Sequence, residues 1–307
     1  MSRDLSVVIV NWNTKDLLLK CLASIFTTIH DLSYEVWLVD NASSDGSVDA
    51  ASDRFPQVRV IQNSRNLGFA AANNLAFRQM EGRYAMLLNT DAALTQGAAL
   101  ELFRFMENTQ NAAMVCGQLL NLDGTRQNSI ANFPTLASLL ANETVLRILF
   151  PKAYPSKRRR YESPIEIESC IGACMMVRKS VMDAVGLLDE RFFFFFEETD
   201  WAYRMRKAGW KIYFVPSARI FHAQGRSVGR DVRGRLLFYR SRYQYFRKWF
   251  PRGYLFFYAA VMLRLLINTV LTGMGVLFTA CCVPDLRNRL LIYLRILMWH
   301  LRGCPEP

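Results

Sequence analysis

The sequence has few histidines and no cysteine pair at CxxC spacing. Only His30, His222 and His300 occur, and none of the seven cysteines forms a CxxC pair. Cys170 and Cys174 are four residues apart with no histidine nearby, so no structural zinc site is predicted. No arrangement of serine or cysteine resembles an activated nucleophile. We therefore expect reduced thiols, as in a cytosolic protein.

The chain also lacks internal repeats, a disordered composition and an N-terminal apolar run long enough for a secretory signal. Its 307 residues are 51% hydrophobic and 13% aromatic, which suffices for a large core domain with an appendage. The formal net charge is +12. A charge of this sign predicts an anionic partner, such as a nucleotide, a nucleic acid or an acidic lipid surface.

Strand-like and helix-like segments alternate over the first 116 residues. This order predicts an α/β fold in which helices cover both faces of a mostly parallel central sheet. Polar residues follow three of the predicted strands: Asn11, then Asp40 and Asn41, then Asn89 and Asp91. Ligands of open α/β sheets bind at the carboxyl ends of the strands, so these side chains are expected to meet in one crevice.

The second half of the chain is less regular. Residues 121–165 contain several prolines and the basic run Lys157–Arg160, which predicts a long surface excursion. Residues 230–252 combine eight positive residues with aromatic ones, and the chain is mostly apolar from Tyr254 onward. We predict a domain of residues 1–229 and a helical, membrane-associated tail of residues 230–307.

Four segments could carry chemistry, and each has a simpler structural interpretation. Asp40 could bind a nucleotide base, or lie in a turn where Ser44 or Asp45 caps a helix. Asp91 could hold a divalent cation against a diphosphate, or cap a helix. The acids around Glu198 could include a general base of raised pKa, or simply favour a helix N-terminus. His222 and Arg226 could meet a metal and phosphate, or His222 could be a hydrogen-bonded residue at a strand end.

Taken together, these segments resemble the family 2 inverting glycosyltransferases, which have the Rossmann-like glycosyltransferase-A fold, and in particular their rhamnosyltransferase-like branch. The resemblance covers residues 6 to 227. It rests on seven stretches in the expected order: SVVIVNWN from Ser6, VDNASSDGS from Val39, NLGFAAANN from Asn66, LLNTD from Leu87, GACMMVR from Gly172, GLLDERFFFFFEETDWAYRMRKAG from Gly186, and HAQGRS from His222.

The resemblance implies a role for individual residues. Glu198 corresponds to the general base, with glutamate in place of the family's aspartate. Asp91 corresponds to the metal-binding member of the DxD element, whose first member here is Asn89. Asp40 corresponds to the residue that contacts the nucleotide base. The remaining implied contacts to the nucleotide sugar are Asn11, Asn66 and Arg226, and His222 is implied as a second metal ligand.

The implied reaction is a single displacement with inversion, assisted by Mg²⁺ or Mn²⁺ at Asp91 and His222. The expected donor is a nucleotide sugar, dTDP-rhamnose by resemblance, and the expected acceptor is a saccharide linked to a lipid. Two alternatives stay open: a non-catalytic protein that binds the nucleotide sugar, and a nucleic-acid-binding protein, which the charge permits. The nucleic-acid-binding alternative gives no role to the acids at 189–200 or to the polar strand ends, whereas Asn89 and Glu198, which depart from the family pattern, keep the non-catalytic alternative open.

The tail has two apolar stretches, Leu265–Val283 and Leu286–Leu301. A single membrane span would place the arginines of the second stretch on the far side, against the positive-inside tendency. We therefore predict an interfacial or re-entrant tail docked on an anionic leaflet at the cytoplasmic face of a bacterial plasma membrane. A true span is the second interpretation, and packing on the catalytic domain or on a second subunit is the third.

Overall fold

The computed structural model describes residues 3–136, 138, 143–151, 160–223, 232–280 and 282–304. The chain divides into two compact units. The first comprises residues 1–133 and 156–227, and the second comprises residues 134–155 and 228–307. The division assigns 134–155 to the second unit, while the predicted boundary between residues 229 and 230 remains a prediction.

The first unit is built on a nine-stranded sheet. Its strands are β1 (Arg3–Asn11), β2 (Tyr34–Asp40), β3 (Arg59–Gln62), β4 (Gly82–Leu88), β5 (Ala92–Leu94), β6 (Ala112–Leu120), β8 (Ile165–Ile167), β10 (Cys174–Arg178) and β11 (Lys211–His222), while β7 (Ile130–Ala131) and β9 (Ser169–Cys170) form a separate pair. The order is β3–β2–β1–β4–β10–β6–β11–β5, with β8 paired to β11.

The pairings of β3, β2, β1 and β4 are all parallel, and so is that of β6 with β11. β10 is antiparallel to both of its neighbours, and β11 is antiparallel to β5 and β8. The predicted fold class is therefore confirmed, although the sheet is more mixed than the sequence indicated. Each antiparallel pairing involves β10 or β11, and both lie in the half of the chain where helix-strand alternation is lost.

Helices cover both faces of this sheet, as predicted. In chain order, the helices with bounds among the described residues are α1 (Lys15–Thr28), α2 (Ser47–Arg54), α3 (Phe69–Phe77), α4 (Ala98–Asn108), α5 (Glu143–Leu149), α6 (Lys179–Val185), α7 (Glu197–Lys207), α8 (Val232–Trp249), α9 (Tyr254–Phe278) and α10 (Pro284–Leu301). Alternate side chains of β1 explain the two layers. Leu5, Val7 and Ile9 pack with α1, α2 and α4, while Val8 packs on the opposite side with α3, α6 and α7.

The second unit contains α8, α9 and α10, with a single turn of 3-10 helix between α8 and α9. The apolar helix of the tail starts at Tyr254 and ends at Phe278, so it begins before the uncharged stretch Leu265–Val283 and ends within it. Arg264 lies inside the helix because one cation among many apolar residues does not interrupt backbone hydrogen bonding. By length and composition alone, residues Pro251–Phe278 could cross a membrane, and only 17% of the most apolar window is buried.

Candidate active site

The ends of three neighbouring strands are joined by polar side chains. Asn11 and Asp40 stand opposite each other in the parallel register of β1 and β2. The Asn11 amide donates to Asp40 Oδ1 at 2.8 Å. Thr14 donates to Asn11 Oδ1 at 2.8 Å, and its hydroxyl lies 2.9 Å from that of Thr90, beyond the end of β4. The structure thus brings the three predicted strand ends together at one edge of the sheet.

Asp40 is fully buried and orders the loop that follows it. Its Oδ2 accepts a 2.8 Å hydrogen bond from the backbone N–H of Ser43. The capping alternative applies to Asp45 instead, which accepts from the backbone N–H groups of Ser47 at 3.1 Å and Lys15 at 2.8 Å. Each Asp40 oxygen has accepted one hydrogen bond from these partners, and a carboxylate oxygen has two lone pairs.

A second loop packs against the run of phenylalanines. Asn66 Oδ1 accepts from the backbone N–H of Gly68 at 2.9 Å, and Phe69 N–H donates to the Phe193 carbonyl at 2.7 Å. Gly68 has φ +83°, and a Cβ there would lie 2.5 Å from the Phe193 oxygen. Only glycine permits both this conformation and this close approach. The NLGF stretch is thereby attached to the segment that leads into Glu198.

Asp91 and His222 lie side by side. Their side chains are 1% and 8% exposed, with His222 Nε2 3.5 Å from Asp91 Oδ1. Pairing of His222 with Ala92 in the β11–β5 ladder and a 2.8 Å hydrogen bond from Ala223 N–H to the Asp91 carbonyl fix this proximity. Residues 131 apart in sequence thus form one pair. Arg226, the third group predicted here, lies outside the described residues.

Gln127 was not predicted and determines how His222 is oriented. Its Nε2 donates to Asn121 Oδ1 at 2.7 Å and to the backbone carbonyl of His222 at 2.5 Å. The other end of the amide, Oε1, therefore faces His222 Nδ1, at 2.9 Å. Because a carbonyl oxygen only accepts, Nδ1 must carry the hydrogen. In the neutral ring, the lone pair of Nε2 then points towards the Asp91 carboxylate.

This arrangement fits a divalent cation. Two electron-rich atoms, Nε2 and Oδ1, face each other and require a proton or a cation between them. In an octahedral Mg²⁺ site, adjacent ligands at about 2.1 Å from the ion are about 3 Å apart, close to the observed spacing. Within the described ranges, no group of three or more histidine, cysteine or acidic side chains could bind a metal. Asp91 and His222 would therefore share the ion with substrate phosphate and water, as Mg²⁺ sites commonly do.

Asn89 extends the polar wall beside this pair. Its Oδ1 is buried without a hydrogen-bond partner among the described residues, while its backbone N–H donates to the Ala173 carbonyl at 2.9 Å. A buried acceptor without a partner costs about 1–3 kcal/mol, which a ligand with a donor group would offset. The Asn89 side chain is thus available to a hydroxyl-bearing ligand.

Helix α7 begins at Glu197 and carries three acids in its first turn. The two residues before it, Phe195 and Phe196, both have φ +68°. Bulky residues in this left-handed region cost about 1–3 kcal/mol each and are concentrated at functional sites. The helix-dipole interpretation of these acids is therefore compatible with the catalytic one. The strained turn fixes the position of Glu198 at the start of the helix, whichever role the acids have.

The two glutamates have different environments. Glu197 is 5% exposed, and its Oε2 has no hydrogen-bond partner among the described residues. Burial, and secondarily the nearby Glu198, raise the pKa of Glu197 well above the usual range. Burial also raises the pKa of Glu198, and hydrogen bonds from its own backbone and from Thr199 partly offset this rise. A protonated Glu197 would leave Glu198 as the carboxylate that carries the charge.

Glu198 lies close to the Asn89 segment through Gly172. A Cβ on Gly172 would be 3.7 Å from the Glu198 Cγ, and the next residue, Ala173, accepts the hydrogen bond from Asn89. The candidate base and the DxD-like stretch thus meet at the start of β10. Gly172 stands in a stretch that carried the resemblance, but its position beside Glu198 could not be inferred without the fold.

The two arginines near the end of α7 pair with different acids. Arg204 pairs with Asp200, four residues earlier on the same helix, at 3.0 Å. Arg206 instead pairs with Glu166, at 2.9 Å, because it lies on the face of α7 that meets β8. The acids at 197 and 198 therefore have no described arginine pair, which is consistent with their raised pKa values.

Comparison with known proteins decides the family. The family model for glycosyl transferase family 2 matches residues 6–186. The chain belongs to this family. It is 31% identical over 248 residues to the N-acetylglucosaminyl-diphospho-decaprenol L-rhamnosyltransferase of Mycobacterium tuberculosis, covering 75% of this chain and 80% of that protein. It is also 25% identical to the dTDP-rhamnosyl transferase RfbF of Shigella flexneri, covering 73% and 71% of the two chains.

Solved structures show the same fold. A mannosyltransferase from Pyrobaculum calidifontis, in complex with GDP-Man and Mn²⁺, superposes with a TM-score of 0.58 at 14% identity, covering 98% of this chain and 87% of the other. GalNAc-T7 with UDP, GalNAc and Mn²⁺ gives a TM-score of 0.56 at 17% identity, covering 72% and 44%. The predicted family resemblance and fold are thus confirmed, and the protein is a glycosyltransferase.

Proposed function

We propose that this glycosyltransferase transfers L-rhamnose from dTDP-rhamnose, with inversion, to a hydroxyl of a lipid-linked saccharide in cell-surface polysaccharide synthesis. The observation that carries the reaction type is the meeting of Glu198 with the Asn89–Asp91 segment through Gly172 and Ala173. The choice of rhamnose and of a lipid-linked acceptor is supported by the relatives from Mycobacterium tuberculosis and Shigella flexneri.

Glu198 is the proposed general base. It removes the proton from the acceptor hydroxyl while that oxygen forms a bond to the anomeric carbon of the donor. The bond from that carbon to the diphosphate oxygen breaks, and the electron pair leaves with the nucleoside diphosphate. The pKa of Glu198, raised by burial, makes its carboxylate a stronger base than an exposed glutamate.

Asp91 and His222 are the proposed ligands of Mg²⁺ or Mn²⁺, and Gln127 orients His222 for that task. When bound, the cation would neutralise negative charge on the diphosphate leaving group as a Lewis acid. Asp91 contributes an ionised oxygen and His222 a neutral nitrogen, so the pair itself adds only one negative charge near the anionic donor.

The donor contacts are proposed around the three strand ends. Asp40 would accept from the nucleotide base through its remaining lone pairs, with Asn11 holding it in place. Asn66 would shape the loop beside the sugar nucleotide, and Asn89 would meet a hydroxyl of the donor through its buried Oδ1. Arg226 remains a proposed phosphate contact.

The proposed location is the cytoplasmic face of a bacterial plasma membrane. Helix α9 supports it, because large apolar side chains along its length are more than 45% exposed, among them Phe256, Leu263, Val270, Leu277 and Phe278. A continuous row of exposed apolar side chains such as this one is typical of a surface that contacts a partner or a membrane. An interfacial or re-entrant placement is preferred to a span because the arginines of α10 would otherwise lie across the membrane.

The reaction is tested by incubating purified protein with dTDP-rhamnose and a lipid-diphosphate saccharide in the presence of Mg²⁺ or Mn²⁺. The product is examined by NMR for transfer and for the anomeric configuration. Transfer with inversion is expected, and EDTA should abolish it. Retained configuration would exclude the single displacement, and donor binding without transfer to any saccharide acceptor would indicate a non-catalytic binding protein.

A further inference from the structure

The helices of the second unit enclose a cavity of about 460 Å³ at the Tyr254 end of α9. It lies far along the chain from the residues placed in the candidate active site, and no role has been given to it so far. A cavity of this size can hold a small ligand or the headgroup of a larger one. Its lining residues are Arg240, Tyr243, Gln244, Arg247, Tyr254, Leu255, Tyr258, Trp299, Gly303 and Cys304.

The wall of this cavity is cationic. Arg240 and Arg247 both line it, seven residues apart on α8 and therefore on one face of the helix. None of the lining residues is acidic, and Asp285 is the only acid in the sequence between residues 232 and 304. Two guanidinium groups at one cavity attract an anion, and their paired N–H donors match phosphate oxygens.

Four aromatic side chains line the cavity, and one of them contacts a lining arginine. The Arg247 guanidinium lies over the Tyr254 ring, 4.7 Å from its centroid. Tyr243 is almost fully buried, and its hydroxyl is 2.7 Å from His300 Nε2, which connects α8 to α10. Gln244 Oε1 is buried without a hydrogen-bond partner in the described part of the chain. Rotation of that amide would present its NH₂ group to an anionic ligand.

The cavity opens beside the exposed apolar surface of α9. Leu255 lines the cavity and is 79% exposed, and it is the first of the exposed apolar residues that continue along the helix to Phe278. An anion-binding cavity at the end of an apolar helix surface is the arrangement expected for an amphiphile. The headgroup would occupy the cationic cavity, and the hydrocarbon would lie along the helix.

We propose that this cavity binds the diphosphate of a polyisoprenoid lipid, the class of acceptor carrier put forward above. In naming that carrier, the inference rests on the proposed function. The binding itself depends on Arg240, Arg247 and the aromatic wall alone. It therefore does not require the donor, the metal or turnover.

The test measures binding of the full-length protein to neutral phosphatidylcholine vesicles that contain a polyisoprenyl diphosphate. The variant is Arg240→Gln with Arg247→Gln. The control, Arg287→Gln with Arg289→Gln, removes the same charge from exposed positions of α10 that do not line the cavity. The cavity variant should bind about tenfold more weakly or worse, while the control should change about twofold or less.

A third variant separates geometry from charge. Arg240→Lys with Arg247→Lys keeps the charge and loses the paired donors. It should keep its affinity for phosphatidylglycerol vesicles and lose most of its preference for the diphosphate lipid. Circular dichroism and melting curves establish that each variant is folded, and the lysine variant keeps the proposal testable if the glutamine variant is not.

Several results would overturn the proposal. Equal losses in the cavity and control pairs would show only general attraction to an anionic surface. The wild type could bind equally well to vesicles that contain phosphatidylglycerol and to vesicles of the same charge that contain the polyisoprenyl diphosphate. That result would refute the assignment of the cavity to a polyisoprenoid diphosphate. Efficient competition by inorganic pyrophosphate would show recognition of a free anion instead. A wild-type protein without lipid selectivity but with intact donor turnover would refute this inference alone, whereas absence of donor binding by the wild type would refute the proposed function alone.

Discussion

The two units of this glycosyltransferase place their charged residues in contrasting environments. In the first unit, Asp40, Asp91 and Glu197 are each 5% exposed or less, and defined neighbours surround each carboxyl group. In the second unit, Arg247, Arg287 and Arg289 are exposed on helices that also expose large apolar side chains. Burial of a charge costs free energy that only particular hydrogen-bonding or ionic partners offset, so the position of a buried charged group is fixed by those partners.

This contrast indicates a division of work. Preorganised, buried polar groups stabilise charge that develops during a reaction far better than solvated groups do. Exposed cations beside apolar side chains instead favour association with an anionic, amphiphilic partner. The contrast supports the proposal that the first unit performs the chemistry and the second attaches to an amphiphilic partner. The following experiments are ordered from the largest expected effect to the smallest.

Glu198→Gln should have the largest effect. It removes the base while keeping size and hydrogen-bonding capacity, so kcat should fall by about 10²–10⁴-fold with donor affinity nearly unchanged. Glu197→Gln is the matched control. Burial raises the pKa of Glu197 and so favours its neutral form, which glutamine resembles. Similar losses in the two variants would show that the assignment of the base to Glu198 is wrong.

Asp91→Ala should come next. Removal of the only carboxylate in the proposed ligand pair should weaken Mn²⁺-dependent donor binding and lower kcat/KM by about 100-fold or more. Titration of Mn²⁺ by electron paramagnetic resonance, with and without nucleoside diphosphate, measures the first quantity directly. If the variant binds Mn²⁺ and donor as the wild type does, the metal site lies elsewhere.

Gln127→Leu should have a smaller effect through His222. Loss of a hydrogen bond that orients a metal-bound histidine typically lowers metal affinity about 10–100-fold. Because the chain has three histidines, ¹⁵N-histidine NMR of the metal-free protein can also read the tautomer. The wild-type ring of His222 should carry its hydrogen on Nδ1, and the variant should shift it towards Nε2. A wild-type Nε2–H form would contradict the assigned role of Gln127.

Glu197→Gln should affect stability more than activity. Burial raises the pKa of Glu197 in the folded protein, so the fold holds that proton more tightly than the unfolded chain does. The free energy of unfolding therefore falls as pH rises through that raised value. The variant should melt about 2 °C or more above the wild type at pH 8, with a smaller difference at pH 5. A difference that grows towards low pH would refute this environment for Glu197.

Local patterns predicted the first half of the fold well. In α1, Leu18, Cys21, Leu22 and Ile25 recur at helical spacing, and all four are fully buried. Helix α2 gives no such signal in the sequence. Only two of its eight residues, Ser47 and Ala51, are buried, which is too few to produce a helical pattern of apolar residues. Strands β7 and β8, with two and three residues, are likewise too short to give a pattern.

The sequence was sufficient to predict which residues belong to the candidate site, but not which of them contact each other. Asp40, Asp91 and Glu198 stand in stretches that carry the family resemblance. Gln127 lies in a segment without periodicity, and its contact with His222 spans 95 residues. Such contacts depend on how β6 and β11 align, which no local pattern in the sequence reports. In the tail, the uncharged stretch begins after Arg264, but the helix starts at Tyr254 and includes this arginine. The limits of an uncharged stretch therefore do not give the limits of the helix.

The most direct test of the central claim is donor binding by the purified full-length protein, measured for a panel of nucleotide sugars with Mn²⁺, with Mg²⁺ and with EDTA. Wild type and Glu198→Gln should both bind dTDP-rhamnose in a metal-dependent manner, and only wild type should transfer the sugar to a lipid-diphosphate saccharide. If no nucleotide sugar binds with either metal, the assignment of catalysis to the buried polar groups of the first unit is contradicted.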